Sequence, residues 1–126
     1  MLRRRATAVV VRNDRLLLVR DKGVQRFALP GGGVNSGELA ISAVARELHE
    51  ETRLEAVRIE FLFTYIGEIN EHLVYRVDAK GDVIIDNEIE AYTWWNWAED
   101  IPLEDHIKRN LSRLNEERKN GTHDAH

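Results

Sequence analysis

The chain has 126 residues, of which 43% are hydrophobic and 32% are charged, and these values indicate one globular domain with room for a hydrophobic core. The net charge of −4 argues against a nonspecific nucleic-acid coat. The sequence contains no cysteine, which excludes disulfides, zinc ribbons and thiol nucleophiles and makes the cytoplasm the default expectation.

The first predicted element is a β-hairpin. The runs 4–11 and 15–20 are rich in β-branched residues and leucine, and Asn13 and Asp14 between them are typical of a tight turn. The apolar run 6–11 is too short for a signal peptide, and no stretch approaches the roughly 20 apolar residues of a membrane span. We therefore expect an N-terminal strand and no membrane partner.

A polar loop is predicted at 21–26, and a short strand at 27–29 ends at Pro30. Arg20 and Arg26 lie in or beside this loop, close in sequence to the acidic segment that follows. Two interpretations are open for these side chains. They contact a phosphate group, or they are ordinary solvated loop charges.

A glycine-rich loop at 31–33 precedes a predicted helix over 38–52. Apolar residues recur in this helix at spacings of three and four, and neither glycine nor proline interrupts it. At about 100° per residue, Glu47, Glu50 and Glu51 share one side of the helix. Glu47 and Glu51 border the apolar stripe, where partial burial of a carboxylate is costly unless something compensates its charge.

A divalent cation would compensate these carboxylates. Mg²⁺ takes oxygen ligands and is usually shared between carboxylates and substrate phosphates. The alternative is a solvated acidic face in which Arg46 and Arg53 pair with Glu50. The helix pattern alone leaves both interpretations open.

Two longer strands are predicted beyond the helix, at 56–66 and 71–78. Phe61, Phe63 and Tyr65 would share one face of the first strand because side chains alternate with a period of two. We expect most of these rings to lie in the core. Tyr65, near the strand end, could instead stack on a base.

A late strand is predicted within 86–97, which holds Glu88, Glu90 and three tryptophans. Both glutamates would point to the same face of that strand. At least one tryptophan is expected in the core, and stacking of another on a substrate stays open.

A last helix is predicted at about 104–118, with apolar residues at helical spacing, and should pack on the sheet. The polar residues 119–126 are expected to form a disordered tail. Strands before, between and after two helices predict an α/β sandwich with a mixed sheet, formed by a single domain at 1–118.

The segment from Gly32 to Leu54 resembles the signature box of the Nudix hydrolases. The family pattern is glycine, five residues, glutamate, seven residues, arginine, glutamate, an aliphatic residue, any residue, two glutamates, any residue, glycine and an aliphatic residue. Eight of the nine specified positions are met, by Gly32, Glu38, Arg46, Glu47, Leu48, Glu50, Glu51 and Leu54.

Arg53 is the departure, because the family has glycine there. Glycine favours the left-handed conformation common just past a helix end, which would cost arginine on the order of 1 kcal/mol. We expect either this local stability cost or an altered helix end, with metal binding in place.

The resemblance implies a Nudix-type α/β/α sandwich and a MutT-like hydrolase acting on acid anhydrides with Mg²⁺, for which Mn²⁺ may substitute. It implies that Glu47 and Glu51 are the principal metal ligands and that Glu50 is a ligand or the catalytic base. The backbone carbonyl of Gly31 is a further candidate ligand. Glu88 matches best the late acidic residue that completes the metal site or acts as base in some members; Glu90 is second, and the alternative is a solvent-facing acid.

The remaining positions of the box have supporting roles by the same resemblance. Gly32 and Gly33 would let the main chain approach phosphate closely. Glu38 would assist the site at the helix start. Arg46 would orient a neighbouring glutamate by a charge-assisted hydrogen bond without touching substrate.

The implied substrate is a nucleoside diphosphate linked to another moiety, as in a nucleoside triphosphate, a sugar nucleotide or a dinucleoside polyphosphate. The alternative is a catalytically silent Nudix-fold module that binds a nucleotide. Such regulators usually carry a DNA-binding domain, for which we expect no room in 126 residues. The sequence leaves open whether the protein is a monomer or a homodimer.

Overall fold

A computed structural model describes residues 2–86 and 88–123 of the chain. Its strands are β1 (Arg3–Val9), β2 (Val11–Arg12), β3 (Arg15–Asp21), β4 (Gly31–Gly33), β5 (Glu55–Ile66), β6 (Asn70–Lys80) and β7 (Ile89–Trp95). Its helices are α1 (Ala40–Thr52), α2 (Asp105–Lys108) and α3 (Leu111–Glu116), followed by a 3-10 helix at Glu117–Asn120. In the described part of the chain, every helix is too short or too polar to span a bilayer.

The strands form two sheets. The larger has the order β4-β1-β6-β5, in which β1 and β6 are parallel and the other neighbours are antiparallel. The smaller has the order β2-β3-β7 and is antiparallel throughout. The predicted mixed sheet is therefore confirmed.

Two hydrophobic clusters hold the layers together, one on each face of β1. Ala6 and Ala8 pack with residues of α1, whereas Val9 packs with Ile107 and Leu114 of the C-terminal helices. This division follows from the two-residue period of a strand, which sends neighbouring side chains to opposite faces. Helices thus cover both faces, and the predicted α/β/α sandwich is confirmed.

The N-terminal hairpin is smaller than the sequence predicts. Asn13 and Asp14 form the turn with positive φ values of 52° and 64°, but only β2 pairs with β3 inside this hairpin. The preceding strand β1 instead pairs with β4 and with β6. The local pattern predicts the turn correctly, whereas the partner of β1 lies far along the chain.

The prediction for residues 27–33 is corrected. The glycines form the strand β4, paired with β1, while Phe27 and Ala28 make only isolated bridges. Gly31 permits this close pairing, because a Cβ on it would overlap the carbonyl oxygen of Ala6 and lie 2.9 Å from the Cα of Thr7.

A β-bulge corrects the predicted common face of the aromatic residues in β5. The register with β6 shifts between Phe61 and Phe63, so that Leu62 is an extra residue. Phe63 is 7% exposed and lies in the core, whereas Phe61 is 52% exposed on the other face. Tyr65 keeps the face of Phe63 and packs at the margin of the same cluster.

The tryptophans occupy three environments. Trp95 is buried in the core, as expected for at least one of them. Trp94 lies under the guanidinium of Arg12, with 5.1 Å between the guanidinium carbon and the ring centroid. Trp97 donates from Nε1 to the carbonyl of Asp14 at 2.7 Å. All three side chains therefore have contacts within the protein.

The last predicted helix is broken into α2, α3 and the 3-10 helix. The break falls at Asn110, whose backbone has φ −120° and ψ 19° and whose side-chain amide donates to the carbonyl of His106 at 2.7 Å. That hydrogen bond competes with continued helix at this position. Ile107 and Leu114 are nevertheless buried, as their spacing predicts.

The described part of the predicted tail makes backbone hydrogen bonds with β2 and with the turn that follows it. The amide of Thr122 donates to the carbonyl of Val11 at 3.0 Å, and the amide of Asn13 donates to the carbonyl of Thr122 at 2.8 Å. The edge of β2 thus supplies backbone hydrogen-bond partners to Thr122, and the expectation of a disordered tail stays a prediction. Residues 124–126 lie outside the described residues.

Candidate active site

The helix α1 presents two glutamates directly to the glycine strand β4. Oε1 of Glu51 accepts a hydrogen bond of 2.8 Å from the amide of Gly31. The carboxylate of Glu47 packs against Gly32 so closely that a Cβ there would lie 2.5 Å from Oε2 and 2.6 Å from Oε1. The absence of a side chain at Gly32 therefore makes the position of Glu47 possible.

Arg46 holds the remaining acidic residues of the box in place. It binds Glu38 through two hydrogen bonds, Nε to Oε2 at 2.8 Å and Nη2 to Oε1 at 2.9 Å. It also donates to Oε1 of Glu47 at 2.8 Å and to the carbonyl of Gly33 at 3.1 Å. A longer contact of 3.5 Å reaches Oε2 of Glu50. These protein groups surround the guanidinium and fix its orientation.

The ion pair between Arg46 and Glu38 has a strong electrostatic signature. The hydrogen bonds from Arg46, helped by one from the amide of Asn35, lower the pKa of Glu38 to about 2. The same contact with Glu38 raises the pKa of Arg46. Glu38 is therefore ionised at neutral pH, and its ion pair with Arg46 links the segment before α1 to the helix.

The pKa of Glu51 is shifted in the opposite direction from that of Glu38. Burial raises its pKa to about 8, and the charges of Glu47 and Asp21 add to this rise, while the hydrogen bond from Gly31 and the charge of Arg5 oppose it. Burial and repulsion both disfavour the anion unless a cation lies nearby. Asp21 and Arg5 were missed by sequence reasoning, because neither belongs to the box and only the folded chain brings them close to Glu51.

The donor set is suitable for a hard divalent cation, because it consists of carboxylate oxygens and a backbone carbonyl. In the structure, Glu47 and Glu51 are engaged by Arg46 and Gly31 respectively. Within residues 2–86 and 88–123, no group of three or more Asp, Glu, His or Cys converges closely enough to hold a metal ion. Ion binding would therefore require carboxylates to rotate, and Glu50, whose side chain is 56% exposed, is free to do so.

The predicted substrate residues outside the box lie apart from one another. Nη1 of Arg20 donates to Glu90 at 3.0 Å and to the carbonyl of Val24 at 3.1 Å. Arg26 is exposed in the loop that follows β3. Tyr65 lies on the sheet face opposite α1, with its ring centroid 5.8 Å from that of His72.

Glu88 lies in a turn before β7, so the expected common face with Glu90 on one strand is not observed. Its side chain is exposed, and its backbone carbonyl accepts from the amide of Lys22 at 2.9 Å. The segment before it is tied to the end of α1, since the amide of Ile84 donates to the carbonyl of Thr52 at 2.9 Å.

Arg53 retains the left-handed conformation expected of the family's glycine. Its backbone has φ 64° and ψ 4°, and its amide donates to the carbonyl of His49. The structure thus decides between the two expectations in favour of a local cost at an unaltered helix end. The side chain adds a new contact, because Nη2 lies 2.8 Å from Oδ2 of Asp86.

A histidine pair, in which His72 is buried and His106 is partly buried, lies on the face of the sheet away from α1. The rings of His72 and His106 stack with centroids 4.9 Å apart. Nδ1 of His72 is 3.2 Å from Oγ1 of Thr7, and Nε2 of His106 accepts from the amide of Leu29 at 3.3 Å. Burial lowers the pKa of His72 to about 4 and that of His106 to about 3. Both rings are therefore neutral near pH 7.

The structure is an α/β/α sandwich in which a helix rich in carboxylates packs on a glycine strand at the edge of a mixed sheet. This arrangement is the one that the resemblance to the Nudix hydrolases implies, and comparisons with known proteins identify the same family. The model of the NUDIX domain matches residues 2–114. A protein of Bacillus subtilis (strain 168), provisionally named an 8-oxo-dGTP diphosphatase, is 31% identical over 122 residues, which cover 93% of this chain and 80% of that protein.

Solved structures show the same relationship. A protein from Chromobacterium violaceum, provisionally described as a nudix hydrolase family member, superimposes with a TM-score of 0.83 at 35% identity, covering 94% of this chain and 79% of that one. A MutT NUDIX hydrolase from Burkholderia pseudomallei superimposes with a TM-score of 0.79 at 27% identity, covering 89% of this chain and 97% of that one.

The chain belongs to the Nudix family. The predicted enzyme class, a hydrolase acting on acid anhydrides, is confirmed by this membership. Hydrolases of the family generally depend on a divalent metal, which agrees with the oxygen donors gathered around α1 and β4.

Proposed function

We propose that the chain is a Mg²⁺-dependent hydrolase that cleaves a pyrophosphate bond in a nucleoside diphosphate linked to another moiety. The observation that carries this proposal is the packing of Glu47 and Glu51 of α1 against Gly32 and Gly31 of β4. This packing gathers acidic oxygens beside the main chain of β4, which lies at the edge of the larger sheet, where a diphosphate and its cation could be bound together.

The metal site in this proposal consists of Glu47 and Glu51 as principal ligands, with Glu50 and the carbonyl of Gly31 as further ligands. When bound, Mg²⁺ or Mn²⁺ supplies charge neutralisation for the diphosphate and for the leaving phosphate oxygen. Arg46 keeps Glu47 in position through its hydrogen bond of 2.8 Å. Burial of Glu51 strengthens its interaction with a cation.

The general base in this proposal is Glu50 or Glu88. Glu50 is half-exposed and held only by the longer contact with Arg46, so its carboxylate is available to accept a proton from water. Glu88 can act as the base only if the turn before β7 lies near α1. The hydrogen bond from the amide of Ile84 to the carbonyl of Thr52 supports this, because it joins the preceding segment to the end of α1. Substitution of each residue by glutamine separates the two, because loss of the base lowers kcat most.

Substrate contacts are proposed for the glycine strand and the nearby side chains. Gly32 and Gly33 are proposed to let the main chain approach phosphate closely, because neither carries a side chain. Arg20 can bind phosphate only by releasing Glu90, whereas Arg26 is exposed and needs no such exchange. Tyr65 is proposed to stack on the base. The similarity to a protein provisionally named an 8-oxo-dGTP diphosphatase favours a nucleoside triphosphate over a sugar nucleotide or a dinucleoside polyphosphate.

The decisive experiment measures release of phosphate, pyrophosphate or nucleoside monophosphate from a panel of these substrates, with Mg²⁺ or Mn²⁺. Glu47→Gln and Glu51→Gln should each reduce turnover about 100-fold or more, with unchanged circular dichroism, because each removes a charged metal ligand. Glu55→Gln is the control, since Glu55 is an exposed acid paired loosely with Lys80 at 4.0 Å.

Near-normal turnover in both variants would remove the assignment of the metal site. Nucleotide binding without product from any substrate would instead favour the catalytically silent module. The lack of cysteine supports a cytoplasmic location for the enzyme. Its partner in this proposal is a small nucleotide, and sedimentation analysis would distinguish monomer from homodimer.

A further inference from the structure

Arg5 lies in β1, between the glycine strand and the histidine pair. Its backbone is opposite Gly33 of β4 on one side and opposite His72 of β6 on the other. Because Ala6 faces α1, the alternation of the strand directs Arg5 to the opposite face of the sheet. The residue is half-buried there.

The guanidinium of Arg5 reaches the candidate metal site through Gly31. Its Nη2 donates to the carbonyl of Gly31 at 3.2 Å, while the amide of Gly31 donates to Glu51 at 2.8 Å. Arg5 and Glu51 thus contact the two polar groups of the same residue.

Arg5 differs from Arg46 and Arg20 in forming no direct ion pair with an acid among the residues that the structure describes. Arg46 and Arg20 form ion pairs of 3.0 Å or shorter with glutamates. In the part of the chain that the structure describes, no ion pair joins Arg5 to a carboxylate, and its one hydrogen bond goes to a backbone carbonyl. A guanidinium carries five N–H donors, so several donors of this half-buried cation stay available.

The two histidines near Arg5 add no positive charge beside it. His72 and His106 are neutral near pH 7, because burial lowers their pKa values to about 4 and about 3. A half-buried guanidinium that forms no direct ion pair and has spare donors is suited to an oxyanion, which it can bind through two parallel hydrogen bonds.

We propose that Arg5 binds a phosphate group of the substrate adjacent to the phosphate held at Glu47 and Glu51. The inference rests on the proposed function, to which it adds a second phosphate contact formed by a residue outside the signature box. Gly31 separates the two contacts, so neighbouring phosphates of one substrate can occupy both.

The test compares Arg5→Gln and Arg5→Lys with Arg4→Gln as the matched control. Arg4 is the neighbouring residue of the same strand, faces the other side of the sheet, and pairs with Glu71 only at 3.7 Å with its side chain 55% exposed. All variants are examined for KM, kcat, the Mg²⁺ concentration that gives half-maximal activity, and the Kd of inorganic pyrophosphate measured by calorimetry with Mg²⁺.

Arg5→Gln should raise KM and the Kd of pyrophosphate about tenfold or more, because a charge-assisted hydrogen bond to phosphate is lost. The kcat value and the Mg²⁺ requirement should change less, because the carboxylate ligands are untouched and only the contact of Arg5 with the Gly31 carbonyl is lost. Arg5→Lys keeps the charge but loses the planar fork, so its effect should be smaller in the same direction. Arg4→Gln should resemble the wild type.

The proposal is overturned if both Arg5 variants keep wild-type KM and pyrophosphate affinity. It is also overturned if only the Mg²⁺ requirement changes, because Arg5 would then act solely on the Gly31 carbonyl. If Arg5→Gln does not fold, the result with Arg5→Lys decides. If the wild type cleaves no substrate of the panel, the proposed function fails, whereas pyrophosphate binding still tests Arg5 separately.

Discussion

At the residue scale, the candidate site depends on contacts that the main chain of two glycines makes with charged side chains. Gly31 offers its amide to Glu51 and its carbonyl to Arg5, and Gly32 leaves space for the carboxylate of Glu47. Arg46 then fixes Glu47 from the other side. Substitutions in the glycine strand should therefore change the positions of the carboxylates on α1.

Gly32→Ala should displace the Glu47 carboxylate, because the added Cβ would lie 2.5 Å from Oε2. We expect Mg²⁺ affinity and turnover to fall about tenfold or more, since one misplaced charged ligand costs on the order of 1.4 kcal/mol or more. Calorimetric titration with Mg²⁺ and initial rates provide the measurement. Gly33→Ala is the control for Mg²⁺ affinity, because a Cβ there meets no described atom within 4 Å; equal Mg²⁺ affinities of the two variants would contradict the prediction.

At the element scale, α1 is shaped by packing on one side and by its C-terminal end. Ala43, Val44 and Leu48 are buried against the sheet, which leaves the acidic flank beside β4. The helix ends at Arg53 in a left-handed conformation that arginine tolerates only with strain. We therefore expect the backbone strain at position 53 to be lower with glycine than with arginine.

Arg53→Gly and Arg53→Ala separate this strain from the ion pair with Asp86. Both variants lose the ion pair, but only alanine keeps the Cβ, so the glycine variant should be more stable by about 1 kcal/mol. The wild type should exceed the alanine variant by less than about 1 kcal/mol, because Arg53 and Asp86 are 41% and 45% exposed. Urea unfolding measures both differences, and equal stability of the two variants would exclude the strain.

At the scale of the whole molecule, the sandwich separates two electrostatic environments. The edge formed by α1 and β4 collects carboxylates, whereas the layer between the sheet and α2 buries the neutral pair His72 and His106. Burial of the two imidazoles links their protonation to unfolding of the entire domain.

Stability should fall on acidification from pH 6.5 towards pH 4. The unfolded chain takes up protons near the ordinary histidine pKa of 6.5, whereas the folded His72 and His106 resist until about 4 and about 3. Each contributes stability that is present above pH 6.5 and lost as pH falls, with a slope of up to about 1.4 kcal/mol per pH unit.

The measurement is urea unfolding between pH 4.5 and pH 7.5, compared for the wild type and the double variant His72→Gln/His106→Gln. Glu51 acts in the opposite sense, because its raised pKa of about 8 adds stability that is lost as pH rises through that value. Glu51 is present in both proteins, so the difference between their pH profiles isolates the histidines. Replacement of the exposed His123 by glutamine is the control, and identical slopes in wild type and double variant would refute the linkage.

The sequence by itself determined the signature helix, the tight turn at Asn13 and Asp14, the mixed α/β class and the identities of the acidic residues. These properties are encoded locally, in the periods of strand and helix and in fixed spacings within the box. Hydrophobic periodicity also identified Ile107 and Leu114 as core residues, although it did not reveal the break at Asn110.

Only the tertiary structure decided which strands pair and which side chains meet across them. The pairing of β1 with β6 and β4 brings Arg5, Gly31 and His72 together from distant parts of the chain, and a bulge sends Phe61 away from Phe63. The physical reason is that a strand pattern specifies which face is buried, whereas its partner depends on burial and backbone hydrogen bonding summed over the whole domain.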